Sequence, residues 1–121
     1  MFYLCGTCRS PSRLPQYHDM GLIASYLGAL YSGGTGVYQS PAAFLKNPVL
    51  WLQIISRFRG THTQAPNFAY ALAVRKFKAL KKPLDPPLDL SCIKHMVNAA
   101  EPLEEKVPSL FKSDSLLLQL L

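Results

Sequence analysis

Prolines and glycines divide this chain into short segments, and their positions limit its fold more than any other feature. Ten prolines and seven glycines are spread over 121 residues, of which 49% are apolar. Proline ends helices and is excluded from central strands, while glycine favours turns. The stretch from Met20 to Leu45 carries no charge, but SGGTG interrupts it at 32–36, before it reaches membrane-spanning length. We therefore expect a core of short elements and no transmembrane segment.

The first predicted helix begins at Asp19, which is a helix-capping residue type. The apolar residues that follow recur at helical spacing, and they are Met20, Ile23, Leu27 and Leu30. The glycines of SGGTG end this pattern. We expect a helix that is buried in the core.

Two further helices have clear boundary signals. Asn47 stands at a cap position with Pro48 in the first turn, and Gly60 follows the last apolar residue. The stripe between them consists of Leu50, Trp51, Ile54, Ile55 and Phe58. The next helix begins after Pro66 and extends to about Leu80. Lysines lie near its C-terminus, where the helix dipole favours positive charge.

Short runs that are typical of strands separate these helices. We expect extended segments at Leu14–Tyr17, Val37–Gln39, Thr61–Ala65 and Ile93–Val97, and a short helix that opens at Glu101–Pro102. Strands that alternate with helices predict an α/β fold, with a parallel or mixed sheet and helices on its faces.

The net charge of +6 favours anionic partners without selecting one of them. The basic run VRKFKALKK at 74–82 could contact nucleic acid or acidic lipid, but Phe77 lies on the apolar side, which favours a solvated helix face. Three cysteines, an odd number, argue against a disulfide-stapled secreted fold and favour a reducing compartment, the cytoplasm.

The residues alone define no reaction. Cys5 and Cys8 form a CxxC, but no second ligand pair follows it, as a zinc site would require. His18, His62 and His95 lack metal-ligand spacing, and only His18 stands where an extended segment meets a helix, a position that can face a ligand. No GxxxxGK phosphate loop or Ser/His/Asp set is present, so we predict neither a metal site nor a catalytic residue.

Four strings in the middle of the chain resemble one known family. They are HDMGL at 18–22, P-x-x-F-L-x-x-P-x-x-W-L at 41–52, PNFAY at 66–70 and NAAEP at 98–102. In this order they are similar to the adenylate-forming superfamily, and in particular to its fatty-acyl-AMP ligase branch. The resemblance covers residues 12–107 and leaves 1–11 and 108–121 unmatched.

The resemblance implies activation of a fatty acid with ATP and Mg²⁺ to an acyl-adenylate, and transfer of the acyl group to an acyl-carrier protein or CoA. It also implies a slice of the large N-terminal α/β domain and no nucleic-acid partner. The implied acyl-binding residues are His18, Asp19, Met20, Gly21, Ile23, Pro66 and Asn67, with Leu27 a further candidate for the tunnel wall. The implied nucleotide-binding residues are Asn98, Ala99, Ala100, Glu101 and Pro102.

Several motifs of the family have no counterpart in this sequence. Residues 1–11 do not match its Ser/Thr/Gly-rich phosphate loop, the later ribose-binding Asp and C-terminal Lys are missing, and Ala99 replaces a glycine. We therefore expect an internal fragment that does not adenylate by itself. Two alternatives stay open: a non-catalytic acyl- or nucleotide-binding module, and a basic protein that binds nucleic acid or a membrane surface.

Overall fold

The computed structural model describes residues 9–98, and within this range strands and helices alternate. The strands are β1 (Arg9–Ser12), β2 (Thr35–Tyr38), β3 (His62–Ala65) and β4 (His95–Asn98). The helices are a π-helix (Met20–Leu27), α1 (Gly28–Ser32), α2 (Pro41–Lys46), α3 (Pro48–Phe58) and α4 (Asn67–Lys78). The predicted α/β class with parallel strands and flanking helices is confirmed.

The four strands form two two-stranded sheets, which adjoin in the order β2-β1-β3-β4. β1 pairs with β2 and β3 pairs with β4, both in parallel. The two pairs adjoin where Thr61 N donates a 2.8 Å hydrogen bond to Arg9 O. Hydrogen-bonding direction alternates along a strand, so Pro11 faces β3 as Arg9 does. Because proline has no N–H, the ladder between the two pairs does not continue past this point.

The core lies between the sheet and helices α3 and α4. Trp51 is at its centre, with ring centroids 5.8 Å from Phe44 and 5.4 Å from Tyr70. The other fully enclosed residues of this cluster are Leu52, Ile55, Ala65, Ala69, Ala73, Val74, Leu88 and Leu90. The stripe predicted for α3 is confirmed at Trp51 and Ile55, whereas Phe58 at its end is exposed.

The helix predicted after Asp19 is present, but its orientation was predicted wrongly. Ile23, Leu27 and Leu30 are 59%, 50% and 78% exposed. The buried residues are instead the small ones, Gly21, Ser25 and Ala29, which recur every four positions. Small side chains let a helix approach its neighbours closely, and the larger apolar residues Ile23, Leu27 and Leu30 stay largely exposed.

The π-helix is attached to the sheet by buried polar contacts that the sequence did not reveal. Gln64 Nε2 on β3 donates to Ser25 Oγ and, at 3.2 Å, to Met20 O. Ser25 Oγ donates to Ser12 Oγ on β1 at 2.9 Å, and Tyr38 OH on β2 donates to Ser25 O. Three strands thus hold one residue of the helix in place.

The helix ends lie close to their predicted positions, but the predicted capping residues do not make the expected contacts. Asp19 makes no capping hydrogen bond; His18 Nδ1 accepts one from Met20 N at 3.2 Å. Asn47 stands at the predicted cap of α3, but its side chain caps nothing. Arg59, rather than Gly60, adopts the left-handed conformation that ends α3.

The strand expected at Leu14–Tyr17 was placed too late in the sequence. The strand is β1, which ends at Ser12, and residues 14–17 form a turn in which His18 N donates to Pro15 O. Pro15 disfavours a helical backbone at this point, as expected, but the backbone it requires is found in turns as well as in strands. The other three predicted strands are confirmed within two residues of their ends.

The register of β3 and β4 places His62 directly opposite His95. Their rings stack with centroids 4.7 Å apart. Burial of the imidazole lowers the pKa of His62, with smaller contributions from the nearby His95 and Lys94. The neutral form of the His62 imidazole is therefore favoured in the folded state.

The helix expected at Glu101–Pro102 lies outside the described residues. In the range 9–98, none of the helices has the length and apolar character needed to cross a bilayer.

Gly21 tests the close contact between the π-helix and the turn before it. A Cβ at this position would overlap Pro15 O, so Gly21→Ala is expected to destabilise the fold by about 1–3 kcal/mol. Urea denaturation measures the loss. Gly33→Asn is the control, since a Cβ on Gly33 meets nothing within 4 Å and Asn accepts its positive φ. Equal stability of Gly21→Ala and the unmodified chain would contradict the close contact.

The lowered pKa of His62 predicts a pH-dependent stability. In the unfolded chain this histidine binds a proton near pH 6.5. The folded state binds it only at lower pH, so stability is expected to fall as the pH drops below about 6.5. The loss stops growing once the pH is below the folded-state pKa.

The variant His62→Gln should reduce this slope when thermal unfolding is followed from pH 8 to pH 5. At pH 8 the imidazole is neutral in the folded and the unfolded state. The difference in thermal stability between the two proteins should therefore not change with pH in that range. An unchanged slope below pH 6.5 would be inconsistent with the assignment.

Candidate functional site

Two cavities lie beside the π-helix and adjoin at Met20, which lines both of them. The first, the sheet-face cavity, has a volume of about 380 Å³ and lies between the π-helix and strands β3 and β4. Its helical wall is formed by Met20, Ile23, Ala24 and Gly28. Its sheet wall is formed by Ser10, His62, Thr63, Gln64, His95 and Val97.

The sheet-face cavity is suited to an apolar chain. Carbon atoms dominate its helical wall, and Gln64 and His62 on the sheet wall have hydrogen-bond partners outside the cavity lining or on the helix. Gln64 is bonded to the π-helix, and His62 Nδ1 lies 2.8 Å from Thr61 Oγ1. A cavity with apolar walls and few free polar groups is typical of sites for hydrophobic ligands.

The second cavity, the strand-end cavity, has a volume of about 340 Å³. It lies where β1 and β3 end, and its lining includes Arg13, His18, Phe44, Pro66 and Phe68. The carboxyl ends of parallel strands are the usual ligand-binding edge of an α/β sheet. The sheet-face cavity is therefore apolar, and the strand-end cavity next to it contains a charged side chain.

The structure brings together most of the residues predicted for acyl binding. His18, Met20 and Pro66 line the strand-end cavity, and Met20 and Ile23 line the sheet-face cavity. Gly21 and Asp19 have no such place: Gly21 packs against the Pro15 backbone, and Asp19 is exposed. Leu27, the further tunnel candidate, is half exposed and lines neither of the two.

Asn67 joins the two predicted sites. It is buried at the start of α4, and its Oδ1 accepts a 2.9 Å hydrogen bond from Asn98 Nδ2 at the end of β4. Asn98 is the first residue of the predicted nucleotide segment, and its own Oδ1 is enclosed without a donor among residues 9–98. The remaining predicted nucleotide residues, Ala99, Ala100, Glu101 and Pro102, lie outside the described residues.

Arg13 is a site residue that the sequence analysis missed. It is 4% exposed, and its Cζ lies 4.2 Å from the centre of the Phe44 ring and 5.5 Å from that of Phe68. Burial lowers the pKa of Arg13 to about 10 and raises that of the neighbouring Tyr70 well above its usual range. The one sequence signal was a lone cation next to a predicted extended segment.

The other candidates of the sequence analysis were the cysteines and two further histidines, of which His62 and His95 line the sheet-face cavity. Cys5 and Cys8 lie outside the described residues, and Cys92 is a half-buried thiol whose pKa is raised by burial. His62 and His95, which we treated as unrelated, form the stacked pair at the sheet-face cavity. Across residues 9–98, no three His, Cys, Asp or Glu side chains are grouped as metal ligands would be.

Comparison with known proteins identifies the family. The sequence profile described as AMP-binding enzyme matches residues 7–116. JamA of Moorena producens, a medium-chain fatty acid–acyl-carrier-protein ligase, is 42% identical over 93 residues, which are 77% of this chain and 15% of that protein. The long-chain-fatty-acid–AMP ligase FadD32 of Mycolicibacterium smegmatis is 39% identical over 99 residues, or 78% and 15%. The matched part of the chain thus spans about a seventh of these relatives' length.

Solved structures give the same result for the fold. The fatty acyl-adenylate ligase of Legionella pneumophila, crystallised with acyl adenylate and pyrophosphate, matches with a TM-score of 0.83 and 35% identity over 94% of this chain and 20% of that one. An adenylation domain of a keto acid-selecting module, bound to keto acyl adenylate, matches with a TM-score of 0.82 and 27% identity over 93% and 21%. These findings confirm the resemblance that the four strings indicated: the chain belongs to the AMP-binding enzyme family and is similar to its fatty-acyl-AMP ligases.

Proposed function

We propose that this chain forms the acyl-binding part of an enzyme that joins a fatty acid to AMP, with release of pyrophosphate. The observation that carries the proposal is the sheet-face cavity, whose helical wall comes from the HDMGL segment and the residues directly after it. An alkyl chain placed there would be removed from water, which stabilises the complex by about 0.8 kcal/mol for each buried CH₂ group.

The position of the strand-end cavity supports one orientation of the fatty acid. A fatty acid whose chain lies in the sheet-face cavity would pass Met20 and present its carboxylate beside His18. His18 Nδ1 accepts a hydrogen bond from Met20 N, so the proton of the neutral imidazole is on Nε2 and can be donated to a ligand. His18, Met20, Ile23 and Pro66 are therefore our proposed acyl-site residues, with Asn67 supporting them through Asn98.

The nucleotide would lie beyond the end of β4, along the segment that begins at Asn98. ATP with Mg²⁺ would supply the adenylyl group in the proposed reaction, and the side-chain carbonyl oxygen of Asn98 at that edge has no donor among residues 9–98. The complete reaction is proposed for a protein of the relatives' length, located in the cytoplasm where ATP is available.

Acyl-carrier protein is the acceptor that we favour, with CoA as the alternative. The relatives JamA of Moorena producens and TtuA of Teredinibacter turnerae are ligases for an acyl-carrier protein. A second candidate function is supported by the cavities themselves, since both are formed within the described residues and neither requires a nucleotide. In that case the chain is a non-catalytic acyl-binding module.

The two functions are distinguished by pyrophosphate release and by fatty-acid binding, each measured on the 121-residue chain and on a protein of the relatives' length that contains it. We expect fatty-acid binding by both, and ATP-dependent pyrophosphate release only by the longer protein, since positioning of the phosphates is most of the catalysis. Binding without release in the longer protein would favour the non-catalytic module. Release by the 121-residue chain alone would show that it is not an inactive fragment.

The acyl-binding role of the sheet-face cavity can be tested by filling it. Ala24 lies on the helical wall, so Ala24→Phe should shorten the space for the alkyl chain. We expect the affinity for dodecanoate to fall about tenfold or more and that for hexanoate to change little, because only the longer chain needs the filled volume. Displacement of a fluorescent fatty acid measures both.

Leu30→Phe is the matched control, since Leu30 is 78% exposed, follows the same helical segment and lines neither cavity. Equal loss of dodecanoate and hexanoate in Ala24→Phe, or no loss of either, would remove the cavity from the proposal.

A further inference from the structure

Arg13 is a buried cation, and two of its three guanidinium nitrogens lack a hydrogen-bond acceptor among residues 9–98. Its Nε and Nη2 atoms are enclosed, and neither has an acceptor among residues 9–98. The rings of Phe44, Trp51 and Phe68 lie within 5.6 Å of its Cζ and offset part of the desolvation of the charge. Ring faces do not accept the in-plane N–H bonds of a guanidinium, however, so the donors are left unsatisfied.

An unpaired buried charge of this kind needs an explanation in a native structure. The ion pair that the described part of the chain does contain, between Arg59 and Asp89, is elsewhere and exposed. Arg13 lines the strand-end cavity together with His18, and the rest of that cavity is largely apolar. A ligand that enters it meets a cation at one end and hydrocarbon on the other sides.

We propose that Arg13 is the counter-ion for the carboxylate of the fatty acid, which binds in the strand-end cavity with its alkyl chain extending past Met20 into the sheet-face cavity. A carboxylate matches the planar guanidinium, supplies the missing acceptors and carries the hydrocarbon that the apolar walls require. Inorganic phosphate offers the same charge without the hydrocarbon, so it should bind poorly. The proposal rests on the proposed function for the choice of ligand, but it requires no ATP.

The test compares decanoate with decanol, which has the same chain and no charge, by calorimetric titration of the 121-residue chain without nucleotide. We expect decanoate to bind about 10- to 100-fold more tightly than decanol. Arg13→Met should remove this preference and retain the affinity for decanol, while Arg13→Lys should keep part of it. No preference in the unmodified chain, or an unchanged preference in Arg13→Met, would overturn the proposal.

Two further measurements separate this proposal from competing explanations. Ala24→Phe should weaken the binding of decanoate and of decanol by the same factor. If Ala24→Phe changed neither affinity while Arg13→Met still removed the preference for decanoate, the sheet-face cavity would be excluded as the acyl site and the role of Arg13 would remain. Phosphate at the same concentration should not displace decanoate, and equal displacement would reassign the cavity to a phosphate group and overturn the carboxylate proposal.

Arg13→Met should fold at least as well as the unmodified chain, because it replaces an unpaired buried charge by an apolar side chain of similar length. If it does not fold, ¹³C-carboxyl-labelled decanoate bound to the unmodified chain tests the same contact. Beside a cation the pKa of the bound carboxyl should be lower than that of free decanoate. An equal or higher pKa would overturn the proposal.

Discussion

The position of the π-helix depends on one buried polar contact, the hydrogen bond from Gln64 on β3 to Ser25. Ser25 passes the connection to Ser12 on β1, so two strands fix the same turn of the helix. Leaving one of these groups unsatisfied in the interior would cost about 1–3 kcal/mol, whereas apolar contacts alone would allow the helix to slide. Because Met20 begins this helix and lines both cavities, the polar contact also determines their shape.

Local rules located most of the elements, although they missed β1 and α2, and they were insufficient for the orientation of the first helix. Proline and glycine positions predicted α3 and α4, since capping and chain breaking depend on neighbouring residues only. The helix after Asp19 was located by its apolar period, but the period does not say which side faces the sheet. Gly21 and Ser25 lie on the buried side because they are small, and large apolar residues such as Ile23 are left to border a cavity.

The sequence likewise predicted one part of the candidate site and missed another. The four strings identified the family, and His18, Met20 and Pro66 do meet at one cavity. The pairing of His62 with His95 depends on the register of two strands distant in sequence, and no local pattern contains it. Arg13 was missed for another reason: a lone arginine is usually solvated, and only the surrounding aromatic rings show that this one is not.

Gln64 and Arg13 are both polar and buried, yet they have opposite roles. The Nε2 group of Gln64 finds its acceptors within the fold, so it stabilises the structure. The Nε and Nη2 groups of Arg13 find no acceptor among the described residues, so they weaken the structure and could be satisfied by an anion. A residue that breaks a local rule without compensation inside the fold is best explained by what binds there. On this argument the strand-end cavity, rather than the larger sheet-face cavity, is where charge is recognised.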